Sequence, residues 1–148
     1  MNGNKAVKIL NILLPIAGLG LILYYRICDT LCAYISGSFL GVDLKYVGMF
    51  FMAALLILTL PAAASHKKIV GHLRTMMLAG ALGGEVILVR FQVVHETFCP
   101  YCLAFGLCLL FLFAVHFTAM NKCLAAASFL AGIVAFALFF KGSVLPLW

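Results

Sequence analysis

Two cysteines in the second half of the chain have the spacing of a redox pair. Pro100 and Tyr101 separate Cys99 from Cys102, and a long apolar run follows. The pair is therefore predicted on the first turn of a helix, where a proline fits because its missing N–H would have no partner. The N–H groups at a helix start favour a thiolate, which makes such a pair reactive. No histidine follows Cys102, so the pattern does not indicate haem attachment.

A second pair, Cys28 and Cys32, lies in the longest interval between apolar runs, 26–45. On a helix, residues four apart share one face at about 6 Å, within the upper range that a disulfide spans. Two pairs suggest a relay in which a disulfide passes from one pair to the other through a mixed disulfide. A relay inside a membrane must end on a lipid-soluble acceptor of two electrons and two protons. A quinone, ubiquinone or menaquinone, has these properties.

Position along the helix predicts different roles for the two later cysteines. Cys102 lies one turn deeper than Cys99. We expect Cys102 to face an apolar quinone pocket and Cys99 to face the loop, where it would exchange with the first pair. Cys108 and Cys123 have no partner at useful spacing and are expected to be packing residues.

Polar residues that precede the pair are candidates for the same site. Glu85 lies near the middle of an apolar run, where an ionised carboxylate is costly unless it is paired, protonated or hydrated. A functional acid and a neutral acid bonded to a neighbouring helix are both open interpretations. Arg90, Gln92 and His95 could stabilise a thiolate, bind a quinone oxygen or donate a proton, although Arg90 could equally extend to lipid headgroups.

The composition indicates an integral membrane protein made of helices. Of 148 residues, 66% are hydrophobic and 9% charged, with a mean hydropathy of +1.21, which no soluble domain of this size could bury. The net charge of +6 does not indicate nucleic acid, because the basic residues separate apolar runs and instead report topology. Five spans of a single domain are predicted, over residues 9–25, 46–64, 75–94, 101–120 and 124–140.

Loop charges predict the orientation. Five spans with the N-terminus inside leave six basic residues inside and four outside, in agreement with the positive-inside rule. Both cysteine pairs then lie on the outer face, the compartment in which disulfides persist. The middle of the first outer loop, Leu31–Leu40, is apolar enough to predict a short helix at the interface. Only Lys141–Trp148 follow the last span, so we expect no fused soluble domain and a separate soluble partner.

Three segments together resemble the bacterial homologues of vitamin K epoxide reductase. They are Cys32-Ala-Tyr-Ile-Ser-Gly-Ser38, Gly41-Val-Asp-Leu-Lys-Tyr-Val-Gly48 and Phe98-Cys99-Pro100-Tyr101-Cys102. The resemblance implies a four-helix bundle around a quinone, with a fifth transmembrane helix, in the bacterial inner membrane. It implies that Cys102 lies beside the quinone, that Cys28 and Cys32 shuttle electrons from a thioredoxin-like (DsbA-like) periplasmic protein, and that Ser38 has a role in the site.

The chain also departs from that family. Its first pair has three intervening residues where relatives usually have more, and Asp43 stands where a proline is usual. Leu44 and Gly106 occupy the positions where animal enzymes place quinone-binding asparagine and tyrosine, so epoxide reduction is not implied. The DsbB type has a similar function but carries its Cys-x-x-Cys in the first outer loop, and here that order is reversed.

Two other functions use the same cysteines. A carrier of a thiophilic metal such as mercuric ion would bind the metal through reduced pairs and would need no quinone. A structural membrane protein would use a loop disulfide only to stabilise its fold, and its Cys99–Cys102 bond would resist mild reductant. The redox relay instead requires that bond to be labile.

Overall fold

The computed structural model of the protein describes residues 3–27, 35–59 and 67–144, and within them the chain is mostly helical. Five α-helices are present in these ranges, and a short 3₁₀ turn, Phe117–Ala119, follows the fourth. In chain order the helices are α1 (Gly3–Ile27), α2 (Leu44–Thr59), α3 (Lys67–Val94), α4 (Pro100–His116) and α5 (Lys122–Phe139). Each overlaps one of the five apolar segments predicted from the sequence.

Three of the helical segments are long and apolar enough to cross a membrane: Lys68–Val94, Pro100–Ala119 and Lys122–Phe139. The apolar segments Ile9–Tyr24 and Leu44–Thr59 are shorter. At about 1.5 Å per residue, α2 measures roughly 24 Å, less than the roughly 30 Å of a hydrocarbon core. The three candidate spans indicate a multi-pass membrane protein.

A small antiparallel sheet at one end of the bundle was not predicted. It consists of β1 (Ile35–Phe39), β2 (Val42–Asp43) and β3 (Phe140–Val144), in the order β2-β1-β3. Leu40 and Gly41 form the two-residue turn between β1 and β2 with φ angles of 54° and 83°, as a primed hairpin turn requires. The chain is therefore not entirely helical.

The prediction of an interfacial helix over Leu31–Leu40 is wrong for the part that the structure describes. Residues 35–39 form the central strand, which pairs with β3 from Ile35 opposite Val144 to Phe39 opposite Phe140. Apolar content alone does not distinguish a short helix from a strand. The pairing segment lies about 100 residues further along the chain, so no local pattern indicated it.

The core of the bundle is a cluster of fully buried side chains from α2, α3 and α4, which holds these three helices together. Its members are Met52, Leu55, Leu78, Leu109 and Leu112.

Helices α3 and α5 pack closely through glycines. A Cβ atom placed on Gly132 would collide with the backbone of Gly80, and one on Gly83 would collide with the backbone of Phe129. The sequence suggested a close-packing face at Gly80-x-x-x-Gly84, and the structure shows the helix that this face meets. Small residues allow such close contact between membrane helices.

We predict that Gly132→Ala lowers the stability of the protein in detergent by about 1–3 kcal/mol, because the added methyl group separates α3 from α5. Gly20→Ala is the matched control, since a Cβ there has nothing within 4 Å. It should leave stability unchanged or raise it by up to about 1 kcal/mol. Unfolding curves of both variants test this. Equal stability of Gly132→Ala and the native protein would show that the two helices do not depend on this contact.

Candidate active site

The predicted cysteine pair lies at the start of α4. Cys99 is the N-cap residue, with an extended backbone (φ −95°, ψ 110°), and Pro100 opens the helix. The backbone N–H of Cys102 donates to Cys99 Sγ at 3.5 Å. Cys99 thus uses its sulfur in the position where most helices use a serine or aspartate oxygen. The prediction that the pair lies on the first turn of a helix is confirmed.

Gln92, in the last turn of α3, holds the start of α4 in place. Its side-chain Oε1 accepts a hydrogen bond from the backbone N–H of Cys99 at 2.9 Å, and only 3% of Gln92 is exposed. The Gln92 carbonyl also accepts from Thr97 N–H at 3.0 Å. One buried residue therefore fixes both the turn after α3 and the first cysteine of the pair.

The turn after α3 ends the helix with a common pattern of backbone hydrogen bonds. Glu96 N–H donates to the Val93 carbonyl at 3.3 Å, and Glu96 has a left-handed backbone with φ of 52°. Together with the bond from Thr97 to Gln92, this is the Schellman arrangement that ends many helices, with glutamate where glycine is usual. The turn directs the chain back so that Cys99 lies next to Gln92.

Hydrogen bonding at the helix start alters the acidity of Cys99. The thiol of Cys102 donates to the Cys99 sulfur and lowers its pKa to about 6; burial opposes this shift, and the backbone N–H groups of Cys102 and Tyr101 reinforce it. At neutral pH Cys99 is therefore mainly a thiolate, the form that is nucleophilic in thiol–disulfide exchange.

A cavity of about 560 Å³ lies beside the pair, between the helices. It extends along α3 from Met76 to Gln92, and Cys102 forms part of its wall near the start of α4. Most of the wall consists of aliphatic, aromatic and methionine side chains from all five helices, and Phe140 of β3 also contributes. Cys102 thus lies on the wall of an apolar cavity, as expected, and the expectation that this cavity binds a quinone remains a prediction.

A few polar side chains also line this cavity. Gln92 and Tyr101 lie near Cys102, and Asp43 and Lys45 lie at the sheet end, where Lys45 Nζ and Asp43 Oδ2 form an ion pair at 3.0 Å. Glu85 lies on the wall further along α3 towards Met76. The cavity therefore combines an apolar interior with polar groups concentrated near the cysteine pair.

The structure brings some of the predicted site residues together and leaves others apart. Glu85 and Gln92 line the cavity with Cys102. Arg90 and His95 are exposed and are not part of its wall. The His95 ring instead lies against Phe91, with ring centroids 4.4 Å apart.

Ser38 lies in β1 opposite Asp43 and Lys141, and it is not part of the cavity wall. Cys28 and Cys32 lie outside the described residues, so their predicted pairing and role remain predictions.

The expectation that Cys99 faces the first outer loop and exchanges with its cysteine pair remains a prediction, because residues 28–34 lie outside the described part of the chain. Cys99 is buried, with 5% of its surface exposed, whereas Cys102 is partly exposed and lines the cavity. The reason is that Cys99 caps the helix, and the bond to Gln92 draws it inwards. Helical spacing alone does not predict this, because the N-cap residue does not follow the helical repeat.

Lys45, Tyr101 and Phe140 also line the cavity and were not among the site residues predicted from the sequence. Tyr101 lies inside the Cys-x-x-Cys motif and could have been found from that position. Lys45 and Phe140 join the cavity through the small sheet, which no local pattern indicated.

Comparisons of the chain with protein-family models, with curated proteins and with solved structures found no match.

We predict that the alkylation rate of Cys99 rises with pH through a midpoint near 6, and that Cys102→Ala moves this midpoint up towards the ordinary thiol value of about 8.5. Cys102→Ser, whose hydroxyl can still donate to the thiolate, should move it less. The variants are compared by the shape of their alkylation-rate profiles against pH, because the burial of Cys99 limits the absolute alkylation rate. The measurement uses protein in which the other cysteines are replaced by alanine: Cys28, Cys32, Cys108 and Cys123. An identical midpoint in all three proteins would contradict the assigned cause.

We also predict that Gln92→Met destabilises the protein by about 1–3 kcal/mol, because it leaves the buried Cys99 N–H without an acceptor. Gln92→Glu, which keeps an acceptor oxygen, should lose less stability than Gln92→Met. Hydrogen exchange at the Cys99 amide gives the local readout: protection should fall in Gln92→Met. Unchanged protection would mean that another acceptor replaces Gln92.

Proposed function

We propose that the protein is a membrane thiol–disulfide oxidoreductase that oxidises a thioredoxin-like partner and passes the electrons to a quinone. The observation that carries this proposal is the position of Cys102, which lines a large apolar cavity while hydrogen bonding to the adjacent Cys99 thiolate. A reactive cysteine pair beside a lipophilic ligand site is what electron transfer from thiols to a quinone requires.

The cavity fits a quinone. Its volume of about 560 Å³ lies within the roughly 300–1,000 Å³ of small-molecule sites, which are mostly apolar with a few oriented polar groups. Gln92 lies on the cavity wall, and because its Oε1 already accepts from Cys99 N–H, its Nε2 group is the donor that would bind a ring oxygen. The Tyr101 side chain lies on the same wall. When bound, a quinone supplies an acceptor of two electrons and two protons.

The chain's own residues then act in two stages. The Cys99–Cys102 dithiol is oxidised to a disulfide as two electrons leave its sulfurs, with the Cys99 thiolate as one sulfur and the Cys102 thiol as the other. A thiolate of the reduced first pair, Cys28 and Cys32, attacks this disulfide, and the second thiol of that pair resolves the mixed disulfide. This restores the dithiol and leaves a Cys28–Cys32 disulfide, which the dithiol of the partner protein reduces in turn.

The resemblance to bacterial vitamin K epoxide reductase homologues supports the same assignment, including the shuttle role of Cys28 and Cys32. It also supports a location in the bacterial inner membrane, with the cysteines on the periplasmic side and a DsbA-like partner. The three candidate spans agree with a membrane location, and the basic residues inside favour that orientation.

The test is quinone reduction by the purified protein in detergent, with a reduced thioredoxin-like protein as donor and ubiquinone or menaquinone analogues as acceptors. We predict that Cys102→Ala abolishes turnover, because the disulfide can no longer form. Cys123→Ala is the matched control, since Cys123 is exposed at the start of α5 and should be dispensable.

A native protein that reduces neither analogue, while its reduced form binds a thiophilic metal tightly, would replace the relay with a metal carrier. Equal loss of turnover in Cys102→Ala and Cys123→Ala would show that the effect is not specific to the cavity.

A further inference from the structure

The carboxyl group of Glu85 lies one helical turn further along the cavity than Cys102. A Cβ atom on Gly106 would be 3.1 Å from Glu85 Oε2, so the carboxyl group packs against the backbone of α4 at this glycine. Gly106 follows Cys102 by four residues, which places both on one face of the helix, about 6 Å apart along its axis. Glu85 and Cys102 therefore border adjacent parts of the cavity, one helical turn apart.

Nothing in the described part of the chain neutralises this carboxyl group. No hydrogen bond or ion pair joins Glu85 to any residue whose side chain the structure describes. The sequence left open a neutral acid bonded to a neighbouring helix, and no such bond is present among these described side chains. Holding a carboxyl group at membrane depth costs free energy. A carboxyl group that lies beside a ligand cavity without a hydrogen-bond or ion-pair partner therefore indicates that it acts on the ligand.

The other titratable groups on the cavity wall lie at different positions from Glu85. Asp43 and Lys45 are paired with each other at the sheet end, and Tyr101 and Cys102 lie near the start of α4. The lining residues described from α1 and α5 are not titratable. Of the two carboxyl groups on the described wall, only that of Glu85 lies in the apolar part.

We propose that Glu85 is the catalytic acid of the cavity, and that it would donate a proton to an oxygen of a quinone bound there. This inference rests on the proposed function. The Cys99 thiolate and the Cys102 thiol form a disulfide and release two electrons and one proton. Glu85 supplies the second proton and becomes a carboxylate, so one quinol forms for each disulfide and the net charge is unchanged. Water at the polar end of the cavity then reprotonates Glu85.

The first test is Glu85→Gln, which keeps the size of the side chain and removes the proton. We expect turnover with quinone to fall at least about 100-fold, the usual effect of losing a general acid. Affinity for the quinone analogue, measured by equilibrium binding, should change much less. Oxidation of Cys99 and Cys102 by a water-soluble disulfide, which needs no proton from the cavity, should be unaffected. Glu96→Gln is the matched control, because Glu96 is exposed and outside the cavity.

A second measurement does not depend on turnover. The infrared difference spectrum between the oxidised and quinone-reduced states of the loaded protein should show a carboxylic acid band that disappears when the proton leaves. The band should be absent in Glu85→Gln and shifted in Glu85→Asp, which keeps an acid. If Glu85→Gln does not fold, Glu85→Asp provides the assignment.

A double-mutant cycle with Gly106 tests the geometry. Gly106→Ala places a methyl group against the Glu85 carboxyl and should lower turnover by displacing it. In the Glu85→Gln background the same substitution should have little further effect, because the two residues act through one interaction. Independent, multiplicative effects would contradict the proposed contact.

The failures of the two proposals are distinguishable. If the native protein reduces no quinone, the proposed function falls and this inference falls with it. If the native protein does reduce quinone while Glu85→Gln turns over at the native rate and the carboxyl band persists, only the assignment of Glu85 is overturned.

Discussion

The site depends on how the protein satisfies the N–H groups at the start of α4. A helix that begins beside an apolar cavity cannot rely on water to accept these hydrogen bonds. Cys99 Sγ accepts from Cys102 N–H, and Gln92 Oε1 accepts from Cys99 N–H. The sulfur that caps the helix is thereby held in surroundings that favour a thiolate. The same hydrogen bonds that allow the helix to begin here also make its first cysteine reactive.

The small sheet completes the cavity at the same end of the bundle. Strand β3 continues directly from α5 and places Phe140 against Phe91 of α3, with ring centroids 5.4 Å apart. Asp43 at the end of β2 accepts from Lys45 N–H at 3.2 Å and caps α2. The sheet therefore joins the ends of α2, α3 and α5 around the cavity, and Gly37, Asp43 and Phe140 become part of its wall.

Hydropathy was sufficient to locate the five helices, because each apolar run is long and bounded by polar or charged residues. The position of the cysteine pair also followed from the sequence, since Pro100 and the run after Cys102 indicate a helix start. The sheet could not be predicted, because β1 pairs with a segment about 100 residues away. Nor could the burial of Cys99, which depends on a hydrogen bond to Gln92 across a turn. Arg90 and His95 were expected in the site from proximity in sequence, but the end of α3 leaves them exposed.

The central claim is that the Cys99–Cys102 dithiol gives its electrons to a quinone in the adjacent cavity. The most direct measurement is a single turnover without oxygen, in which reduced protein that retains only these two cysteines is mixed with one equivalent of ubiquinone or menaquinone analogue. We predict one quinol for each Cys99–Cys102 disulfide, with the disulfide located by peptide mass spectrometry. Quinone that stays oxidised in the presence of an intact dithiol would contradict the account.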